Sequence, residues 1–439
     1  MSLSSSTTLE LVGWMPEPNG RGTLSLLTTC LTTIFLCTWV VIHPRVYESE
    51  SYATCHKLAL LAKTLLAPEF IAVEGLQEWA QCRRMVDNCS GYTDGEFKLS
   101  HAYYISMLAL QYRPTEGTSC NRVIWPNQFT WLLEQGLINW KGDHASWGLT
   151  GNQIRDKNKS DSITKLITLF QVLWLVATCI MRAANSLPLA QLESMTLSYI
   201  PLFAVTYFFW WEKPKDIFAP NIVKLPEMSS EQLRLFKSMA LSDKFDDVNA
   251  QGSYWNIWDL TPRVFEKEEE EKDIREAIAK ANQQREAASQ QQGTPKSPTS
   301  RETEMKALES EIRAQKDTIV AHWDPYLYRS KIIRALCSLF GASFGALHLA
   351  CWNTAFPTLA EKWIWRCSGF VSIVSLLAFM HFQKVVLRWN GLITVIQIGS
   401  PALYFASRIL MMGEVFAALR AVEKGVYETY EVANYGIQL

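Results

Sequence analysis

The sequence predicts an all-α protein: a bundle of six or seven transmembrane helices carrying a long, partly disordered cytosolic insertion. Apolar residues make up 48% of the 439-residue chain and are gathered into blocks, whereas the charged residues, at 19%, fall mostly between the blocks. The blocks approach the ~20 residues that a helix needs to cross the hydrocarbon core of a bilayer. Many of the 17 tryptophans flank these blocks, as expected where indole rings lie at the membrane–water interface.

The first half of the predicted bundle covers residues 23–211 and follows a polar tail, residues 1–22. No basic region or cleavage site precedes the first block, so we expect a retained span and not a signal peptide. An amphipathic helix is expected over 55–84, either lying in the interface or lining a polar cavity; if it crossed the membrane, it would be a seventh span. Short helices and loops are expected over 85–160. Spans are expected at 23–42, 163–181 and 189–211.

Residues 212–330 are predicted to form an insertion that contacts cytosolic proteins. Its middle is acidic and low in complexity, and such a composition cannot bury enough apolar surface to fold alone. We expect disorder over 282–303, with proline-directed phosphorylation at Thr294 or Ser297. The charged segments on either side could pair as a short coiled coil.

The second half of the bundle covers residues 331–412, with spans expected at 332–351, 363–382 and 391–412 and an amphipathic C-terminal tail, 413–439, on the membrane surface. Basic residues select the orientation, because cytosolic loops are enriched in lysine and arginine. The richer side includes Lys213 and Lys215, so we expect the insertion in the cytosol and both termini outside. The compartment is either the plasma membrane or an endomembrane.

Ionisable side chains inside predicted spans are costly, and they are therefore the candidates for function. In the last span, Gln397, Tyr404 and Arg408 share one helical face, which is either a packing face or the wall of a polar cavity. In the fourth span, Arg334 and His348 share a face with a GxxxG spacing, which lets two helices approach closely. His348 is either a hydrogen-bonded packing residue or part of a proton relay.

Two carboxylates are the candidate acids. Glu69 follows Pro68, which should bend the helix and free a backbone carbonyl. Because its sequence neighbours are apolar, Glu69 is expected either to be neutral or to have an arginine partner, Arg408 or Arg334. Glu193 is the second candidate counter-ion.

The sequence contains no signature of known cofactor or metal chemistry. P-loop, HExxH, GxSxG and DDxxD patterns are absent, so no cofactor or metal site is predicted. A net charge of −1 gives no reason to expect nucleic-acid binding. Cys82, Cys89 and Cys120 share one polar segment and form either one disulfide or three free thiols.

Several segments resemble a large group of uncharacterised multi-pass fungal membrane proteins. The resemblance covers the spans and their junctions, whereas the insertion departs from it. It implies a membrane bundle and no biochemical role or catalytic residue. The residues that carry it are Thr33 to Trp39, His43–Pro44, Leu66 to Glu69, Trp210 to Pro214, His348, Trp352, Phe356–Pro357, Glu361, Trp365–Arg366, Tyr404, Arg408 and Leu419–Arg420.

Three functions are compatible with these features. The first is an accessory, sensor or scaffold protein with a regulatory insertion. The second is a membrane-embedded enzyme of the cyclase or isomerase type, using Glu69 or Glu193 as the acid on a lipophilic substrate. The third is a small-solute or ion transporter lined by the polar face of the last span. A pocket open to lipid would favour the enzyme, and a passage through the bundle would favour the transporter.

Overall fold

The computed structural model describes residues 10–17, 21–46, 50–114, 121–158, 162–217, 219–239, 330–350, 352–382 and 391–429. The described part is mostly helical, as the sequence predicts, with a few short strands. The predicted disorder at 282–303, the coiled coil and Cys120 lie outside these residues.

The described elements follow one another along the chain with short connections. The α-helices are α1 (Thr23–Val41), α2 (Glu50–Leu66), α3 (Pro68–Cys89), α4 (Leu99–Ser106), α5 (Pro126–Glu134), α6 (Trp140–Asp143), α7 (Gly151–Lys157), α8 (Ser162–Ala184), α9 (Gln191–Phe209), α10 (Ser230–Ser238), α11 (Lys331–Ala350), α12 (Leu359–Phe382) and α13 (Leu392–Ala417). The strands are β1 (Leu11–Val12), β2 (Leu110–Tyr112), β3 (Arg122–Val123), β4 (Asn221–Val223) and β5 (Val422–Glu423).

Five helices of the described chain are long and apolar enough to cross a membrane: α1, α8, α11, α12 and α13. The span predicted at 189–211 does form helix α9, but α9 is not one of the five. Its first half carries polar side chains, among them Gln191, Glu193 and Thr196, that are buried against neighbouring helices. Helix α8 is the opposite case, with a broad apolar face exposed at Leu166 and Phe170. The predicted number of spans is therefore not confirmed.

Ion pairs and backbone contacts define the two ends of the bundle and the direction of each helix. At end B, Arg21 beside the start of α1 pairs with Glu193 at the start of α9 (Nη2–Oε1 2.5 Å). At end A, Lys215 beyond α9 donates to the carbonyl oxygen of Trp39 near the end of α1 (2.8 Å). Helices α1 and α9 are therefore parallel, and α8, which lies between them in the chain, returns in the opposite direction.

A small folded unit at end A combines two distant parts of the chain. Strand β2 pairs antiparallel with β3 and parallel with β4, so residues 219–239, which composition assigned to the insertion, join residues 85–158. Helix α10 docks here through Gln128, whose Nε2 donates to the carbonyl oxygen of Phe236 (2.9 Å). This three-stranded sheet departs from the all-α prediction. Cys82 and Cys89 are both free, buried thiols.

The C-terminal segment after α13 packs onto end B and does not form the amphipathic surface helix that the sequence predicts. Strand β5 pairs with β1. Arg182, fully buried in the last turn of α8, donates to the carbonyl oxygens of Pro188, Gly425 and Glu428 at 2.8–3.3 Å. The residues after α13 are held because this guanidinium meets three backbone acceptors that no helix would satisfy.

The GxxxG spacing of α11 lies at its crossing with α12. A Cβ atom added to Gly345 would lie 2.5 Å from Cγ1 of Ile373 and 3.0 Å from the carbonyl oxygen of Gly369. The second of these neighbours is backbone and cannot rotate away. The two helices therefore approach closely only because position 345 lacks a side chain.

Replacing Gly345 with alanine is expected to destabilise the protein by about 1–3 kcal/mol, because the helices must separate to admit the methyl group. Thermal unfolding of the detergent-solubilised protein would measure the loss. Gly413→Ala in α13 is the matched control, since nothing lies within 4 Å of its added Cβ. Equal unfolding temperatures for the two variants would contradict the proposed close crossing.

Candidate functional site

The helix predicted over 55–84 is two helices that form a hairpin inside the bundle. Helix α2 ends at Leu66, Ala67 is extended (φ −145°, ψ 67°), and Pro68 begins α3. Lys63 and Glu74 form an ion pair, although in one continuous helix they would lie about 16 Å apart along the axis. The chain therefore folds back at Ala67, and α3 returns to end A, where Glu78 pairs with Lys213 (2.6 Å).

Reversal of the chain leaves carbonyl oxygens at the end of α2 without helical partners. Two side chains from other helices supply donors. The hydroxyl of Tyr199 in α9 donates to the carbonyl oxygen of Leu65, and Nε of Arg408 in α13 donates to that of Leu66 (2.7 Å). Tyr199 lies about 12 Å along α9 from its first residue. The hairpin tip is thus buried near the middle of the bundle.

Glu69 lies in the first turn of α3, directly after the tip. Its Oε1 accepts a hydrogen bond from the hydroxyl of Tyr404 (2.6 Å), and both side chains are fully buried. We expected a direct contact between Glu69 and Arg408. The structure instead links the two charges through Tyr404 and the Leu66 carbonyl, with no ion pair between them within 4 Å. We call Glu69, Tyr199, Tyr404 and Arg408 the tip cluster.

Aromatic rings cover the tip cluster on its end-B side. The guanidinium carbon of Arg408 lies 3.5 Å from the centroid of the Phe344 ring, a cation–π contact. His348 stacks on the other neighbour of that ring, with centroids 4.2 Å apart, and lies 5.1 Å from Trp365. His348 is fully buried, and its Nδ1 donates to the carbonyl oxygen of Phe344 (2.9 Å).

The remaining candidate residues lie away from the tip cluster. Glu193 serves α9 and end B, because Oε2 accepts from the backbone N–H of Ala190 (2.9 Å) while Oε1 binds Arg21. Arg334 is exposed near the end-A start of α11, about 15 Å along the helix from Phe344. Gln397 lies in α13, and its side chain is outside the described part of the structure.

A second polar group, at end A, fastens helix ends. Lys215 donates to the carbonyl oxygens of Trp39 and Val40, the last turn of α1 (2.8 and 3.0 Å). Burial lowers the pKa of Lys215 to about 8, with Asp216 opposing that shift. Lys57 pairs with Asp216 (2.9 Å) and lies over the ring of Trp39. These lysines are occupied with structure, and they leave the tip cluster as the site with chemical potential.

The tip cluster can hold charge but cannot hold a metal ion by itself. One carboxylate, two phenols and one guanidinium provide a buried acid and a buried cation within one network. Within the described ranges, no group of three or more His, Cys, Asp or Glu side chains is placed to bind a metal. The cluster is suited to holding or exchanging a proton.

Comparison with known proteins yields one family. A family of unknown function (DUF8562) matches residues 1–83 and 148–320, more than half of the chain. The chain belongs to this family. The matched parts contain the hairpin tip with Glu69, and also Tyr199 in α9; Tyr404 and Arg408 lie beyond them. No curated protein and no solved structure matches the chain.

Sequence reasoning missed two partners in this part of the structure. Tyr199 was not singled out, although the carbonyl freed by Pro68 required a donor from somewhere in the bundle. Arg21 was counted only as a loop charge, whereas it is the partner of Glu193. A helical-wheel argument treats one helix at a time, so it cannot find donors that arrive from another.

Replacing Arg408 with alanine is expected to cost about 3 kcal/mol or more, because it removes a buried charge that compensates Glu69 and leaves the Leu66 carbonyl unsatisfied. Arg420→Ala is the control; Arg420 also pairs with a carboxylate, Glu361, but its side chain is 59% exposed, so we expect a loss below about 1 kcal/mol. Thermal unfolding in detergent measures both.

The double variant Arg408→Ala with Glu69→Ala should lose less stability than the sum of the two single variants, because each single change leaves the opposite charge uncompensated. Strictly additive losses would show that the two groups are not coupled.

Proposed function

We propose that this chain is a multi-pass membrane protein that works as an accessory, sensor or scaffold protein. Its membrane bundle would hold the folded unit at end A, and the charged segment beyond residue 239 would contact partner proteins in the cytosol. The proposal extends the five apolar helices to a bundle that also includes α9 and the α2–α3 hairpin. In it, α9 crosses as an inner helix that faces protein instead of lipid.

One observation carries the proposal: the polar interior of the bundle is closed. Each side chain of the tip cluster is at most 1% exposed, and so is His348. Apolar side chains, including Phe70 and Leu376, pack against the same region. An enzyme for a lipophilic substrate needs a pocket that a substrate can enter, and a transporter needs a passage. A closed interior supports a structural or signalling role better than either.

A transporter is the second candidate, and the hairpin is the observation that favours it. Helices broken inside a bundle are common at the binding sites of secondary transporters, where the freed backbone groups contact the solute. Here those groups are taken by Tyr199 and Arg408. Transport would require these hydrogen bonds to break during a conformational cycle.

Labelling with a lipid-soluble carbodiimide tests whether the interior is closed. Glu69 is expected to remain unmodified, because packed side chains separate it from lipid, as peptide mass spectrometry would show. Leu403→Glu is the positive control, since Leu403 is 57% exposed on α13 and a carboxyl group there should react. Modification of Glu69 in the wild-type protein would favour an enzyme or transporter.

The orientation can be tested by glycosylation. Because α3 returns to end A, the sequon at Asn88 and a reporter at Gly293 should both face the cytosol and stay unmodified. A sequon appended after Leu439 should be glycosylated, since the described C-terminal segment packs at end B. Glycan addition at Gly293 or Asn88 would reverse or break the proposed topology.

A further inference from the structure

Polar atoms around the tip cluster have opposite and unmet hydrogen-bonding needs. Among the described residues, the buried atoms Oε2 of Glu69, Nη2 of Arg408, Nε2 of His348 and Nε1 of Trp365 have no partner. An unsatisfied buried polar atom costs about 1–3 kcal/mol. Four such atoms in one region indicate an occupant that can both donate and accept.

The chemistry of these atoms identifies the occupant as water. Nδ1 of His348 donates to the Phe344 carbonyl, so its Nε2 in the neutral ring is an acceptor. Nε1 of Trp365 and Nη2 of Arg408 are donors only, and Oε2 of Glu69 accepts when ionised. Water satisfies both kinds of atom, and buried waters commonly make about three hydrogen bonds to such groups.

The same atoms follow a line from the hairpin tip toward end B. The Phe344 ring contacts Arg408 and His348, and His348 lies beside Trp365. Trp365 in turn lies 5.7 Å from Phe356, in the end-B connection between α11 and α12. Toward end A, by contrast, the hairpin packs through the apolar cluster of Val73, Leu76 and Cys337.

We propose that Glu69 is an exchangeable proton-binding site, reached from end B through a water-occupied path past Trp365, His348 and Arg408. A proton would move from water at end B to the carboxylate of Glu69 and return the same way. Arg408 keeps its charge throughout, and no bond other than O–H forms or breaks. Because the end-A side is apolar, the path is open from one end only.

The charges around Glu69 make both protonation states accessible. Burial favours the neutral acid, whereas the positive charge of Arg408 and the hydrogen bond from Tyr404 favour the carboxylate. The other titratable groups facing it are Tyr199 from α9 and His348 from α11. On the hairpin itself, Lys63 and Glu74 neutralise each other.

Infrared spectroscopy of the full-length protein in vesicles tests this inference. A protonated carboxyl group has a carbonyl band that shifts in D₂O. We expect one such band to respond to the pH of the compartment facing end B, and to disappear in Glu69→Gln. Glu69→Asp, which retains the carboxyl group, should shift the band and not remove it. This second variant preserves the test if the glutamine variant does not fold.

Two further variants test the path and the assignment. His348→Leu removes a water-binding atom, so deuterium exchange of the Glu69 band should slow at least tenfold with its pH response otherwise retained. Glu193→Gln should leave the band unchanged, because Glu193 is bound to Arg21 at end B.

The inference is overturned if no band depends on Glu69 at any pH, if the band follows only the pH at end A, or if His348→Leu leaves exchange unchanged. It does not depend on the scaffold proposal, which the carbodiimide experiment tests separately. A water path admits protons without admitting a reagent the size of a carbodiimide.

Discussion

Two hydrogen bonds to the end of α2 support the arrangement of the whole bundle. Pro68 has no N–H group, and the chain reverses there, so the carbonyls of Leu65 and Leu66 face an interior without water. Tyr199 and Arg408 satisfy them. Backbone away from regular helix is tolerated at such depth only where protein buries it or where it lines a cavity. These donors therefore determine where α9 and α13 must stand relative to the hairpin.

Placing a guanidinium at the hairpin tip creates the need for the rest of the cluster. A buried arginine requires a compensating negative charge, and Glu69 provides it one turn from the carbonyl that Arg408 binds. Phe344 stabilises the outer face of the same guanidinium through its ring. The polar residues of α9, α11 and α13 are thus parts of one electrostatic unit, and the apolar residues on their opposite faces remain available for lipid.

The sequence predicted the features that depend on local pattern. Apolar blocks correspond to α1, α8, α11, α12 and α13, and Pro68 was expected to free a carbonyl beside Glu69. It could not predict the direction of the chain after Pro68, because that direction depends on Tyr199 and Arg408, which lie far along the chain. Helix α9 was assigned as a span from its apolar half, although its polar half is buried by neighbours. Strands β2 to β4 escaped notice because two or three residues carry no periodicity.

The wide separation of Leu66 and Arg408 also has a consequence for biosynthesis. These hydrogen-bond partners are 342 residues apart. At about 5–20 residues per second, a ribosome needs roughly 17 to 70 seconds to make the intervening chain. During that interval the newly made hairpin has no arginine to receive it, and its open carbonyls are poorly suited to lipid. We expect α2 and α3 to wait at the membrane surface, or with an insertion chaperone, until the last helix arrives.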